Sequence, residues 1–123
     1  MTHPITVHWK DVPDEKDYDG AAAYCSLLYG EGAERYMRTL RCSPIVARRA
    51  NDILRASGLP ILEPNEQDSR VRDIVLKMVS GKRYAPVLLI PATNYLVIAD
   101  GYHRVCAAYF IDPFMAVPCQ LAN

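Results

Sequence analysis

Apolar positions change their period most sharply between Leu96 and Ile111. Leu96 to Ala99 is a continuous apolar run of the kind that fills a buried strand. Asp100-Gly101 breaks it, and Val105, Ala108 and Ile111 then recur at helical spacing. The pattern predicts strand, sharp turn, helix. Val87 to Ile90 is a second apolar run, joined to the first through Pro91 to Asn94, and the two together predict a β-hairpin. Neither run alternates, so the sheet should be covered on both faces. Val71, Ile74, Val75, Met78 and Val79 match the spacing of an amphipathic helix capped by Asp68 or Ser69 and ended by Gly81. After Asp112-Pro113, Ala116 to Leu121 predicts a last strand.

The first half is more helical. Ile5 to Trp9 predicts a short strand, and the acidic stretch Lys10 to Asp19, with Pro13, a loop. A helix starts near Asp17 or Asp19 and runs to Tyr29, with Ala22, Cys25, Leu28 and Tyr29 as its apolar face and Gly30 and Gly32 as its end. A second spans Ala33 to Arg41. A third opens at Ser43-Pro44, as N-cap and first-turn proline, and runs to a left-handed cap at Gly58 before Pro60. Ile61-Leu62 forms a short strand, and Glu63 to Asp68 a polar loop. The fold class expected is α+β: a small mixed sheet with packed helices, in a single domain over 1–123, with a strand and helices in 1–59 before a core in 60–123.

Composition narrows this picture. At 123 residues, half of them hydrophobic, the chain suits one domain with one modest core. Net charge is zero, which argues against a DNA-binding surface covering the protein. No apolar run reaches the length of a membrane span, and no basic start followed by an apolar stretch marks a signal peptide. Cys25, Cys42, Cys106 and Cys119 form no CxxC pair and read as free thiols, so a cytoplasmic location is expected. Charge is uneven along the chain. Segment 31–57 holds Arg35, Arg38, Arg41, Arg48, Arg49 and Arg55 against Glu31, Glu34 and Asp52. That is either a solvated face laced with ion pairs or a local surface for phosphate or nucleic acid.

The candidate chemistry lies in the turn. A strand–Asp-Gly–helix junction presents backbone N–H groups at the positive end of a helix dipole, which suits an anion. His103 and Arg104 occupy that first turn, where a cation is disfavoured by roughly 0.3–1 kcal/mol. Asp100 as N-cap offsets part of this cost, and a bound phosphate would offset the rest. Gly101, Tyr102, His103 and Arg104 are therefore the candidate phosphate- or nucleotide-binding residues.

The motif DGYHR in this context resembles the ParB/sulfiredoxin superfamily. ParB-type proteins carry Gly-Glu-Arg-Arg at this place and sulfiredoxins Gly-Gly-Cys-His-Arg, and both bind nucleotide phosphates there, of CTP and ATP respectively. Aligned on Gly101 and Arg104, Tyr102 stands where sulfiredoxins have their nucleophilic Cys, which argues against that activity. It also replaces the Glu of the ParB motif. The Asp before the Gly is closer to ParB-like kinases and ParB-like nuclease proteins. The order of helix, hairpin, motif helix and final strand matches the superfamily's core over about residues 60–123. The resemblance implies that Lys82 and Arg83 lie in the segment that touches nucleotide, the bland reading being a helix C-terminal charge. It implies ATP or CTP with Mg²⁺ as ligands. Asp100 is either an N-cap alone or also a Mg²⁺ ligand, and Asp100 and His103 are the candidate catalytic pair. Tyr102 either stacks on a base or seals the turn.

Glu63, Glu66 and Asp68 are either a source of a general base or a solvated loop. His3 and His8 lack metal-site spacing, and no P-loop, HExxH or GxSxG arrangement is present. The expectation is a protein that binds a nucleotide or another phosphorylated small molecule, as a Mg-dependent phosphotransferase or phosphohydrolase. The alternatives are a nucleotide-sensing or adaptor module without turnover, or a nucleic-acid-associated ParB-like protein. ParB proteins place a helix-turn-helix after this core, and this sequence stops at Asn123, which counts against specific DNA binding. Membrane association is not expected, and the oligomeric state, a homo-oligomer included, is left open.

Overall fold

The computed structural model describes residues 5–65 and 69–122; His3, Glu66 and Asp68 fall outside them. The fold is α+β. In chain order it runs α1 (Glu15–Tyr29), a 3-10 turn (Gly30–Gly32), α2 (Ala33–Cys42), β1 (Ile45–Arg49), α3 (Ala50–Ser57), α4 (Ser69–Val79), β2 (Val87–Pro91), β3 (Leu96–Asp100), α5 (Tyr102–Ile111) and β4 (Ala116–Leu121). The four strands make one mixed sheet in the order β1-β4-β2-β3. The hairpin β2/β3 and the pair β1/β4 are antiparallel, and β4 runs parallel to β2.

The sheet is covered on both faces because the apolar runs of β2 and β3 point side chains both ways. Leu88, Ile90, Val97 and Ala99 join Tyr18, Ala21, Cys25 and Leu40 in one core, beneath α1 and α2. Val87, Leu89, Ile98, Val117 and Cys119 join Ile53, Leu54, Val71, Val75, Met78 and the buried face of α5 in the other. A three-layer arrangement follows directly from strands without a polar face. The buried polar side chains Asp17, Ser57 and Gln120 each have a hydrogen-bond partner. The Tyr18 hydroxyl donates to Gln120 Oε1, and Gln120 Nε2 donates to the Ser43 carbonyl at 2.9 Å. Arg41 lies over the Tyr18 ring at 4.1 Å and pairs with Glu15 at 2.9 Å.

Four elements differ from the sequence reading. The helix expected from Ser43 is a strand first. The Ser43 N–H closes back on Leu40, Ile45–Arg49 pairs along β4, and helix resumes at Ala50, whose N–H donates to Met115 O at 2.9 Å. Pairing with a distant strand overrides a local pattern that a proline and alanines make look helical. β1 is also an edge, exposed at four of its five residues, with Arg48 donating to its own Ala47 carbonyl at 2.9 Å. Ile5–Trp9 is not a strand; its one ladder contact is a parallel bridge of Trp9 to Tyr84. Ile61-Leu62 is not a strand either. Finally, α1 is rotated. Its buried residues are Asp17, Tyr18, Ala21 and Cys25, while Leu28 is 46% exposed. The rotation carries a carboxylate inward, for a reason given below. No helix among the described residues is long and apolar enough to cross a membrane.

All four cysteines are free; Cys25, Cys106 and Cys119 are buried and Cys42 is exposed. Burial pushes the Cys119 thiol up to about 11 and raises that of Cys25. Alkylation of the native protein without reductant should therefore label Cys42 alone within minutes, and denaturation should bring all four within reach, as read by intact-mass spectrometry. A disulfide surviving denaturation contradicts this.

Candidate functional site

The turn between β3 and α5 is built on one glycine. Gly101 takes φ 106°, the left-handed region. A Cβ there would lie 2.4 Å from Val87 Cγ1, a side chain buried in the core. Glycine is required by both the backbone conformation and the space. Gly101 itself is the N-cap of α5, and the helix has no side-chain cap. The expectation that Asp100 caps it is thus corrected: Gly101 holds the cap position, and the Asp100 carboxylate is bonded to Arg104 instead.

Asp100 instead meets Arg104 one turn on, with Oδ2 2.5 Å from Nη2. Arg104 Nη1 donates to the Ala85 carbonyl at 2.7 Å, to Pro86 O at 3.3 Å and to Asp17 Oδ2 at 3.4 Å. The guanidinium is therefore held by two carbonyls before β2 and by carboxylates from β3 and α1. Its side chain is 11% exposed, as is that of Asp17, and that of Asp100 is 24% exposed. Sequence placed Arg104 as a phosphate-binding cation in the first helical turn; the structure folds it inward as a clamp. Arg104 is why α1 turns Asp17 toward the sheet, since a buried carboxylate needs a partner. Gly20, one turn beyond Asp17, lets the helix approach: a Cβ on it would sit 3.1 Å from Asp100 Oδ1.

Burial is the largest influence on Asp100 and pushes its carboxyl up to about 6. Arg104 opposes this, and the like charge and hydrogen bond of Asp17 add to it.

The clamp forms the floor of a cleft of about 420 Å³. Every site residue taken from the sequence after position 80 lines it: Lys82, Arg83, Asp100, Gly101, Tyr102, His103 and Arg104. The Tyr102 hydroxyl donates to the Pro60 carbonyl, so this side chain ties the 59–65 loop to the turn. Its ring stands 5.6 Å from that of His103. Glu63 does not line the cleft, and neither do Arg48 and Arg49, which sit on β1, the edge of the sheet opposite β3. Glu66 and Asp68 are outside the described residues.

The sequence reading missed the contribution of the first half. Lys10, Asp14, Lys16 and Asp17 from the start of α1, with Arg70 and Asp73 from α4, complete the walls. The only signal for Asp17 is its spacing to Gly20, a carboxylate and a small residue on one helical face.

The charges are unequally paired. Asp14 is bonded by Lys10 at 3.0 Å and Asp73 by Lys77 at 2.9 Å, while Asp17 and Asp100 share Arg104. Among the described residues no carboxylate pairs with Lys16, Arg70, Lys82 or Arg83; Lys82 lies over the Tyr84 ring at 5.1 Å. The donors do not fit Mg²⁺ held by Asp100. One oxygen is taken by Arg104 and the other packs against Gly20, and no group of three His, Cys, Asp or Glu converges among the described residues. No protein-family model, no curated protein and no solved structure matches the chain.

Two outcomes follow from this geometry. Gly101→Ala should cost roughly 2–4 kcal/mol in urea unfolding, from left-handed strain together with overpacking against Val87; a loss within error of zero would contradict the close approach. Asp100 also links stability to pH. Unfolded, it titrates at an ordinary carboxylate value, so the folded chain binds more protons between about pH 4 and about pH 6. The stability it contributes is full below that window and is lost as pH rises through about 6. Asp17→Asn removes a like charge and should flatten the slope. Its Tm relative to wild type should improve as pH is raised from about 5 to about 7.5. A pH-independent difference would show that the two carboxylates do not interact.

Proposed function

We propose that this cleft binds a phosphorylated small molecule, with its phosphates between the first turn of α5 and the basic rim. One observation carries the reading: Lys16, Arg70, Lys82 and Arg83 surround the start of a helix with no carboxylate partner among the described residues. Like charges gathered around a concave surface repel one another, and a polyanion relieves that repulsion. The dipole of α5 adds to the attraction. The resemblance of DGYHR to the ParB/sulfiredoxin motif supports a nucleotide as the ligand.

Arg104 acts in this reading as a positioning residue. It fixes the Asp100-Gly101 turn, the Ala85-Pro86 carbonyls and α1 around one guanidinium, and so sets the shape that the phosphates meet. His103 lines the same wall, within the first turn of α5, where it is placed to contact a phosphate oxygen. Binding without turnover is the better-supported form. Both floor carboxylates are committed to Arg104, so neither is open to serve as the carboxylate base of a phosphotransferase or phosphohydrolase. A nucleotide-sensing or adaptor module fits that commitment. Reading of DNA rests only on the distant arginines of β1 and its neighbours.

Calorimetric titration with ATP, CTP, GTP and ADP tests the proposal. Binding of at least one is expected, and Lys82→Ala/Arg83→Ala should weaken it at least about tenfold, the loss of one or two charge-assisted contacts. Unchanged affinity in the double variant, or no binding of any of the four, would overturn it.

A further inference from the structure

We infer that the cleft takes its phosphorylated ligand as the free anion, with protein cations in the role that a divalent metal ordinarily fills at a polyphosphate. The inference deepens the function proposed above and rests on it.

The charges of the cleft form an unequal inventory. Among the described residues four carboxylates line the cleft: Asp14, Asp17, Asp73 and Asp100. Each is already bonded to a cation, at 3.0 Å, 3.4 Å, 2.9 Å and 2.5 Å respectively. A Mg²⁺ ion recruits one or two carboxylates beside the phosphate oxygens, and needs them free and correctly placed at short range. None here is free without breaking an ion pair. The floor pair is the least able to yield, because Arg104 is itself tied to the Ala85 and Pro86 carbonyls and cannot swing aside. On the other side of the inventory stand Lys16, Arg70, Lys82 and Arg83, which no carboxylate neutralises among the described residues. A surface with every acid satisfied and four bases left over is complementary to negative charge, not to a metal complex.

This has a consequence for the form of the ligand. A divalent cation cancels two negative charges of a polyphosphate and occupies oxygens that Lys and Arg would otherwise contact. The magnesium complex therefore offers the rim less charge and fewer acceptors than the free anion.

The test uses ATP with the 123-residue chain at fixed ionic strength, once with excess EDTA and once with saturating MgCl₂. Affinity for free ATP should exceed that for the magnesium complex by about tenfold, the scale of one charge-assisted contact. Lys82→Ala/Arg83→Ala should narrow that ratio, because it removes the charge that tells the two forms apart. Equal or tighter binding of the magnesium complex would overturn the inference while leaving the proposed ligand class standing. Absence of binding in both media would instead remove the proposal beneath it.

Discussion

The Arg104 guanidinium is the constraint on which the arrangement of this protein depends. It joins four places distant in sequence: Asp17 on α1, the Ala85-Pro86 carbonyls ahead of β2, Asp100 at the end of β3, and its own helix. A largely buried cation is tolerable only when its donors are satisfied and its charge is matched. Here two carboxylates and two carbonyls meet that demand. Removing either partner is more harmful than never having had the pair, because the other charge is left uncompensated. The clamp therefore fixes the rotation of α1 on the sheet as well as the turn that opens the cleft.

The same interaction explains why the two halves of the chain make one unit. The hairpin and the motif helix supply the floor, while α1 and its approach supply one wall. Gly20 and Gly101 play matching parts in this closure, one allowing α1 to reach Asp100 and the other allowing the turn to reach Val87. Neither contact leaves room for a methyl group without a neighbour giving way.

How much was legible in the sequence follows from where each element draws its stability. The hairpin, α4 and α5 were readable because each carries its period locally: two buried runs, one amphipathic stripe, and a strand broken at Asp-Gly. The α+β class followed from them. β1 was not readable, since Ile45–Arg49 is a short edge whose strand character comes from β4, seventy residues on. The phase of α1 was lost for a related reason. An inward carboxylate breaks the hydrophobic pattern, and what makes it tolerable is an arginine 87 positions away. The cleft divides the same way. Its residues from Lys82 to Arg104 were legible from the motif and its surroundings. Lys16, Asp17, Arg70 and Asp73 were not, because no local signal marks a helix end that becomes a wall only after folding.

One feature of β1 bears on how the molecule behaves in company. A sheet that ends in a bare strand offers its backbone to any other extended chain, and crowded solutions punish that. At this border Arg48 turns back onto its own Ala47 carbonyl and Arg49 leans over Phe114 at 5.8 Å. Two long, strongly hydrated side chains thus fence the open side of the sheet. An approaching strand must displace them and strip their water before it finds a bond to make. The charge these arginines place on the border opposes the pairing of another strand there.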